Sequence, residues 1–293
     1  SMTQSSKRPC YNTLPTKLTE KQFNEFILPS LSPGSRGPKT KLSFYKIFTY
    51  ILFILYTGAQ WHMLPVEKDQ NGLNEIHHTQ IFRKFNQWSN DGSLINAFES
   101  SVLNLEQHDM IDPSVLHGDG TSTAAKKGGD NLGYSGHKHF KGEKVIAIVD
   151  RNANVIAPFT TAAGNCHECP LFEDAFSHLK RMFSKLKSTL IGSIMSLDSA
   201  YDSKKNRKMI FNSGMVPNIK ENLRNRRKKK RGRKRIFNQA IYEERFRPVE
   251  RAFAWEDKYK RFLLRFEFKS INHLGMKLLA YTLINLRHLV YYS

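Results

Sequence analysis

A change in hydrophobic period at Pro113 constrains this 293-residue chain more than any other feature. Up to that point apolar residues recur every three or four positions, the spacing of amphipathic helices. Beyond it they collect into short runs of strand length. The chain is therefore expected to open with an all-α unit, residues 1–112, and to continue as an α/β unit, residues 113–293. Hydrophobic residues make up 40% of the chain, enough to bury a core in each part, which excludes a disordered polymer.

In the first part, Thr19 to Gln22 (TEKQ) has the pattern of a capping box, with Phe23, Phe26 and Ile27 at helical spacing before Pro29 stops the helix. Ser43 is placed to cap the apolar run 44–56. That run contains Lys46 and falls short of the ~20 residues a bilayer requires, so it is read as a core helix ending at Gly58. Further helices are expected at about 75–88 and 93–107, punctuated by Asn90, Asp91 and Gly92.

In the second part, strand 114–118 runs into Asp119, and strands 145–149 and 155–161 flank the turn 150–154 as a hairpin. Then come a helix at 170–186, a strand at 190–197 ending at Asp198, a helix at 203–211, a strand at 215–219, and a helix that Pro248 starts. Proline also pushes the residue before it, Arg247, towards extended geometry. This element order is that of an RNase H-like α/β domain, a mixed sheet with flanking helices. In such a sheet the first strand and the strand after the first helix lie side by side in parallel, which brings Asp119 and Asp198 to neighbouring strand ends.

Glu250, in the first turn of the last helix, has a bland reading as a helix-start glutamate on the favourable end of the dipole. Its functional reading is the third member of a carboxylate site with Asp119 and Asp198. Three converging carboxylates repel one another unless cations sit between them, and hard oxygen donors select Mg²⁺, with Mn²⁺ as a substitute. Two such ions activate a nucleophilic oxygen and stabilise the leaving one in phosphodiester displacement. Other acidic positions read as structural: Asp150 as a turn residue, Asp202 as a cap of the helix near 203. His117, two residues before Asp119 on the same strand face, reads as a packed histidine.

Lys and Arg number 46 against 26 Asp and Glu, a net charge of +20, which suggests a nucleic-acid or anionic-membrane partner; with the carboxylate site in view, double-stranded DNA and no membrane is the expectation. The loop 30–41 carries Arg36, Lys39 and Lys41. The helix at 75–88 offers Arg83 and Lys84, with His78 and Gln80, as helix-turn-helix-like contacts. Lys126 and Lys127 lie in a Gly- and Lys-rich stretch. The loop is about as readable as a plain solvated linker, and for the helix an ordinary exposed polar face is the favoured reading residue by residue. The densest run, 222–235, holds Arg226, Arg227, Lys228, Lys229, Lys230, Arg231, Arg233, Lys234 and Arg235. It lies between a strand and the Glu250 helix, so phosphate contact is the better reading there. Arg245, Arg251 and Lys258 flank Glu250 and join the set. Three cysteines, Cys10, Cys166 and Cys169, cannot all pair, and no signal-peptide pattern is read, so the expected location is the cytoplasm. The lone CxxC has no second ligand pair for zinc.

Several motifs in order make the chain resemble the DDE transposases of bacterial insertion sequences, specifically the insertion-sequence-five group. They are LTEKQFNEFILPSL, RGPKTKLSFYKIFTYILFILYTGAQWHMLP and FRKFNQWSNDG in the first part. In the second they are DGTSTAAKKGGDNLG from Asp119, GNCHE from Gly164, LDSAYDS from Leu197 and RPVERAFAW from Arg247. The resemblance implies that Asp119, Asp198 and Glu250 form the DDE triad. It also implies that the substrate is the terminal inverted repeats of an insertion sequence, cut and joined to target DNA by a homodimer. The family's wider signature places three residues between its Arg and Glu; here four separate Arg245 from Glu250, and Asp257 stands where the family has Lys, with Lys258 one position on. An RNase H-fold nuclease without strand transfer and a repurposed DNA-binding derivative are the alternative functions of the same sequence.

Overall fold

The computed structural model describes residues 14–35, 39–124, 133–135, 140–157, 160–163, 168–223 and 232–291. Helix α1 (Glu20–Phe26) starts as the capping box dictates: Thr19 Oγ1 accepts the Gln22 N–H at 3.2 Å and Gln22 Oε1 accepts the Thr19 N–H at 2.9 Å. Ser43 caps α2 (Phe44–Thr57) by accepting the Lys46 N–H, and Gly58 ends it with φ 70°, a conformation that glycine adopts at little cost. Helix α2 buries Ile47, Phe48, Ile51, Leu52, Ile54 and Leu55, so it is a core helix. Helices α3 (His78–Asn90) and α4 (Ser93–Gln107) complete the first part. Among the described residues no helix is long and apolar enough to cross a membrane.

From residue 115 the backbone becomes a sheet. Among the described residues β1 (Val115–Ala124), β2 (Gly133–Ser135), β3 (Phe140–Val149), β4 (Thr160–Ala163), β5 (Ile194–Leu197) and β6 (Val216–Ile219) form one mixed sheet. Its order is β2-β3-β1-β5-β6, with β4 also on β3. Strand β3 pairs antiparallel with β1, whereas β5 lies parallel to β1 and β6 parallel to β5. Parallel neighbours need long crossovers. The first contains α5 (Glu168–Lys185), the second α6 (Lys204–Asn212).

Three expectations are revised. Strand β1 is longer than 114–118, so Asp119 sits inside it and not at its end. The strand expected at 155–161 does not form as such: Val155 makes a single bridge to Val149, and β4 begins only at Thr160. The pairing with β3 persists at Ile156, whose N–H bonds the Ile148 carbonyl at 2.9 Å, while the edge of Val155 that faces away from β3 is closed by Asn285, whose side chain accepts the Val155 N–H at 2.8 Å and donates to the Val155 carbonyl at 2.9 Å. Arg247 is not extended but helical, with ψ −61°, because its N–H bonds the Glu244 carbonyl and the turn before Pro248 continues from the preceding helix.

That preceding helix, α7 (Gln239–Glu244), and the final one, α9 (Ser270–Tyr291), have no counterpart in the sequence reading. Helix α9 packs on α3, α4 and α8 (Pro248–Lys258) and is buried from Met276 to Val290, so the apolar core runs without a break from the first helices into the sheet. A helix buried all round has no apolar stripe, which is the signal that periodicity detects.

Candidate active site

The register of β1 and β5 builds the site. His117 pairs with Ser196, so Asp119 and Asp198, each two residues further on, follow on the same face. Strand β5 stops at Leu197 while β1 continues against β3, so Asp119 stands beside the place where its parallel neighbour has ended. The intervening residue, Gly118, faces the other way: a Cβ there would come within 2.7 Å of Leu197, close to Phe172 of α5. The carboxylate face is therefore the one opposite α5, and it is covered by α7 and α8, which contact β5 and β1 respectively.

Asp198 Oδ1 accepts the Ala200 N–H at 2.8 Å, capping the short turn Ser199–Tyr201, and Asp119 Oδ1 accepts the Gly120 N–H at 2.8 Å. The outer oxygens share one cation. Arg245, the residue that ends α7, places Nη2 3.5 Å from Asp119 Oδ2 and Nη1 4.0 Å from Asp198 Oδ2. Both separations exceed hydrogen-bond length, and Arg245 Nη1 is buried without a hydrogen-bond partner. The guanidinium also lies over the rings of Tyr242 and Phe246, 5.1 and 5.5 Å from their centroids. Arg245, expected on DNA, is thus found between the two aspartates.

Glu250 is exposed in the first turn of α8, two residues after Pro248. Among the described residues no three His, Cys, Asp or Glu side chains converge closely enough to hold a metal ion. The donor chemistry nonetheless suits one: two carboxylate oxygens already face a single positive charge, and α8, which carries the third carboxylate, packs on the strand that carries the first. The far half of α8 is tied down by Glu256, which is buried and paired with both Lys277 and Tyr281 of α9.

A second polar cluster lies one residue away. Glu244 receives two hydrogen bonds from Arg151, Nε at 2.7 Å and Nη2 at 2.9 Å, and pairs with His117 Nε2 at 3.1 Å. Arg151 also donates to Ser114 Oγ at 3.2 Å. The Arg151 hydrogen bonds hold the Glu244 carboxyl below its usual range. Burial lowers the His117 pKa, and the Glu244 pair only partly opposes that. His117 is packed, as read, but Glu244 and Arg151 were missed. Neither side chain stands out in sequence, since 93 positions separate them.

Asp150 is the turn aspartate expected: it is buried and accepts the N–H groups of Asn152, Asn154 and Asp112, while burial pushes its pKa up to about 6. Asp202 is structural in a different way from capping. Ser203 caps α6, and Asp202 binds Arg207 at 2.8 Å and Arg235 at 3.0 Å. Of the basic residues, Lys39, Lys41, Arg83, Arg233, Lys234, Arg251 and Lys258 are exposed. Lys84 is not: its ammonium donates to the Pro33 carbonyl at 2.8 Å and Gln87 at 2.9 Å and sits over the Phe44 ring, inside the helical core. Arg36, Lys126, Lys127, residues 226–231 and Cys166 lie outside the described residues.

Comparison with known proteins adds one strong match. The family model described as "Transposase DDE domain" matches residues 104–283, from the end of α4 into α9. No curated protein matches. Solved structures that are similar include the piggyBac transposase synaptic complex with hairpin DNA, at 10% identity over 95% of this chain and 74% of that one, TM-score 0.49. The Mos1 transposase paired-end complex with left transposon end is similar at 10% identity over 68% and 65%, TM-score 0.27. At these scores neither likeness assigns a role to any residue.

Proposed function

The chain belongs to the transposase DDE-domain family, and from that premise we propose that it moves a bacterial insertion sequence of the insertion-sequence-five group. In this reading it binds the terminal inverted repeats and catalyses metal-dependent strand cleavage and strand transfer. The observation that carries the proposal is the convergence of Asp119 and Asp198 on one cationic group, on the sheet face covered by the helix that bears Glu250. Residues 113–293 are the catalytic unit and residues 1–112 the DNA-binding unit.

Asp119, Asp198 and Glu250 are the residues that hold Mg²⁺ or Mn²⁺. When bound, the divalent ions supply an activated oxygen nucleophile and charge stabilisation for the leaving oxygen. The chain itself supplies position and charge. Pairing with β3 holds Asp119 in β1, and Asp198 follows the end of β5, where it caps the turn Ser199–Tyr201. The Glu256, Lys277 and Tyr281 contacts tie α8, the helix that carries Glu250, to α9. Exposed Lys39, Lys41, Arg83, Arg233, Lys234, Arg251 and Lys258 are the candidate phosphate contacts, so DNA affinity is expected to fall steeply with salt. The working form is a homodimer on DNA in the bacterial cytoplasm, associated with the nucleoid when bound.

The decisive assay incubates the full chain and Mg²⁺ with duplexes carrying the repeats that flank its gene, together with a target plasmid. Joined products support a transposase. Cleavage without joining assigns the nuclease reading instead, and binding without cleavage assigns the repurposed one.

A further inference from the structure

We propose that Arg245 is a built-in stand-in for the metal ion: it neutralises Asp119 and Asp198 while the chain is free of DNA and is drawn off when phosphates arrive. The inference rests on the reading of these aspartates as metal ligands. Two carboxylates on one sheet face, one within β1 and one just past the end of β5, repel each other, and a guanidinium stands against both, 3.5 and 4.0 Å away. The position is electrostatically apt and geometrically poor. Neither contact is a hydrogen bond, and Nη1 is buried with no hydrogen-bond partner. A guanidinium at this point and a divalent cation coordinated by the same oxygens at about 2.1 Å exclude each other by both volume and charge.

The side chain has somewhere to go. Its backbone is fixed, because the preceding residue, Glu244, is clamped by Arg151 and His117, but its guanidinium rests on the faces of Tyr242 and Phe246 and can pivot over them. Phosphodiester oxygens are bidentate acceptors that suit a guanidinium better than two carboxylates out of hydrogen-bond range. Exposed Arg251 and Lys258 on α8 bring phosphates to that side. DNA arrival and metal loading are thereby coupled through one residue, and the free chain keeps its hydrolytic centre closed to divalent ions.

The test is Mn²⁺ affinity of the full chain without DNA, measured by calorimetry or by the Mn²⁺ spin-resonance signal, with no turnover involved. Arg245→Gln is expected to bind Mn²⁺ about tenfold more tightly than the wild type, because a neighbouring positive charge has been removed. Arg245→Lys, which keeps the charge, stays near the wild-type value. Adding a 20-base-pair duplex of arbitrary sequence raises the wild-type affinity towards that of Arg245→Gln, after subtraction of the same titration with Asp198→Asn. Unchanged or weaker Mn²⁺ binding by Arg245→Gln overturns the proposal, as does a Lys variant that behaves like Gln. A wild-type affinity indifferent to the duplex overturns it even if the Gln variant fails to fold. If Asp119→Asn and Asp198→Asn leave Mn²⁺ binding untouched, the metal-site reading itself has failed; if they abolish it and Arg245→Gln is silent, only the stand-in has.

Discussion

Glu244 and Arg245 are adjacent in sequence, carry opposite charges and point at the same sheet, yet one is locked and the other loose. Glu244 makes contacts of 2.7, 2.9 and 3.1 Å to Arg151 and His117, all within hydrogen-bond range. Arg245 holds its two carboxylates at 3.5 and 4.0 Å and leaves a buried nitrogen unpartnered. The difference separates scaffold from site. A group that builds the fold satisfies its partners, whereas a group that must release them is held by charge alone.

The comparison breaks most visibly on the loose side. Asp119→Asn and Asp198→Asn should each lower strand cleavage by about a thousandfold or more, about 4 kcal/mol of transition-state stabilisation, while the melting temperature stays nearly unchanged. Cleavage of a cognate end at the wild-type rate by either variant, or by Glu250→Ala, would remove that residue from the site. On the locked side the order reverses. Glu244→Ala leaves the fully buried His117 without its partner and costs roughly 2 kcal/mol, the Arg151 share being discounted for solvent exposure. A fall in melting temperature of roughly 4–8 °C is expected, and Glu244→Gln should recover part of it.

Acid sharpens the contrast further. An unfolded histidine takes up a proton near pH 6.5, whereas burial holds His117 below that, so the unfolded state binds protons first as pH falls. Stability therefore declines as pH falls below about 6.5, and a His117→Asn variant loses that slope in a pH series of melts. The Glu244 carboxyl acts in a lower window. Its folded pKa is depressed, chiefly by Arg151, so its contribution persists above the ordinary glutamate range and disappears as pH drops through the folded value. The smallest effect belongs to the exposed cations. Arg251→Ala should lower the slope of log affinity for DNA against log salt by about 1, with no effect on Mn²⁺ binding in the absence of DNA.

How much of this was legible varies with the range of the forces involved. The caps at Thr19, Ser43 and Gly58 were readable because their partners lie within four residues. The Pro248 start was readable too, but not the helical Arg247, whose conformation depends on a bond to Glu244. Helix α9 escaped because its surroundings bury it on every side, and nothing local announced that the outer edge of Val155 would be closed by Asn285, 130 positions away. Lys84 looked like a cation for DNA until its side chain was found against Phe44 and the Pro33 carbonyl.

The sequence by itself determined the change from helices to a sheet after Pro113 and the basic excess. These follow from local period, charge and spacing, which need no knowledge of what lies across the fold. Only the tertiary structure decided that Asp119 lies within a strand beside the end of its neighbour, that Glu244 is anchored by Arg151 and His117, and that Arg245 stands between the aspartates. Each of those facts depends on segments brought together by the pairing of β1 with β3 and β5, and strand register is set by packing of the whole sheet, not by any stretch of it.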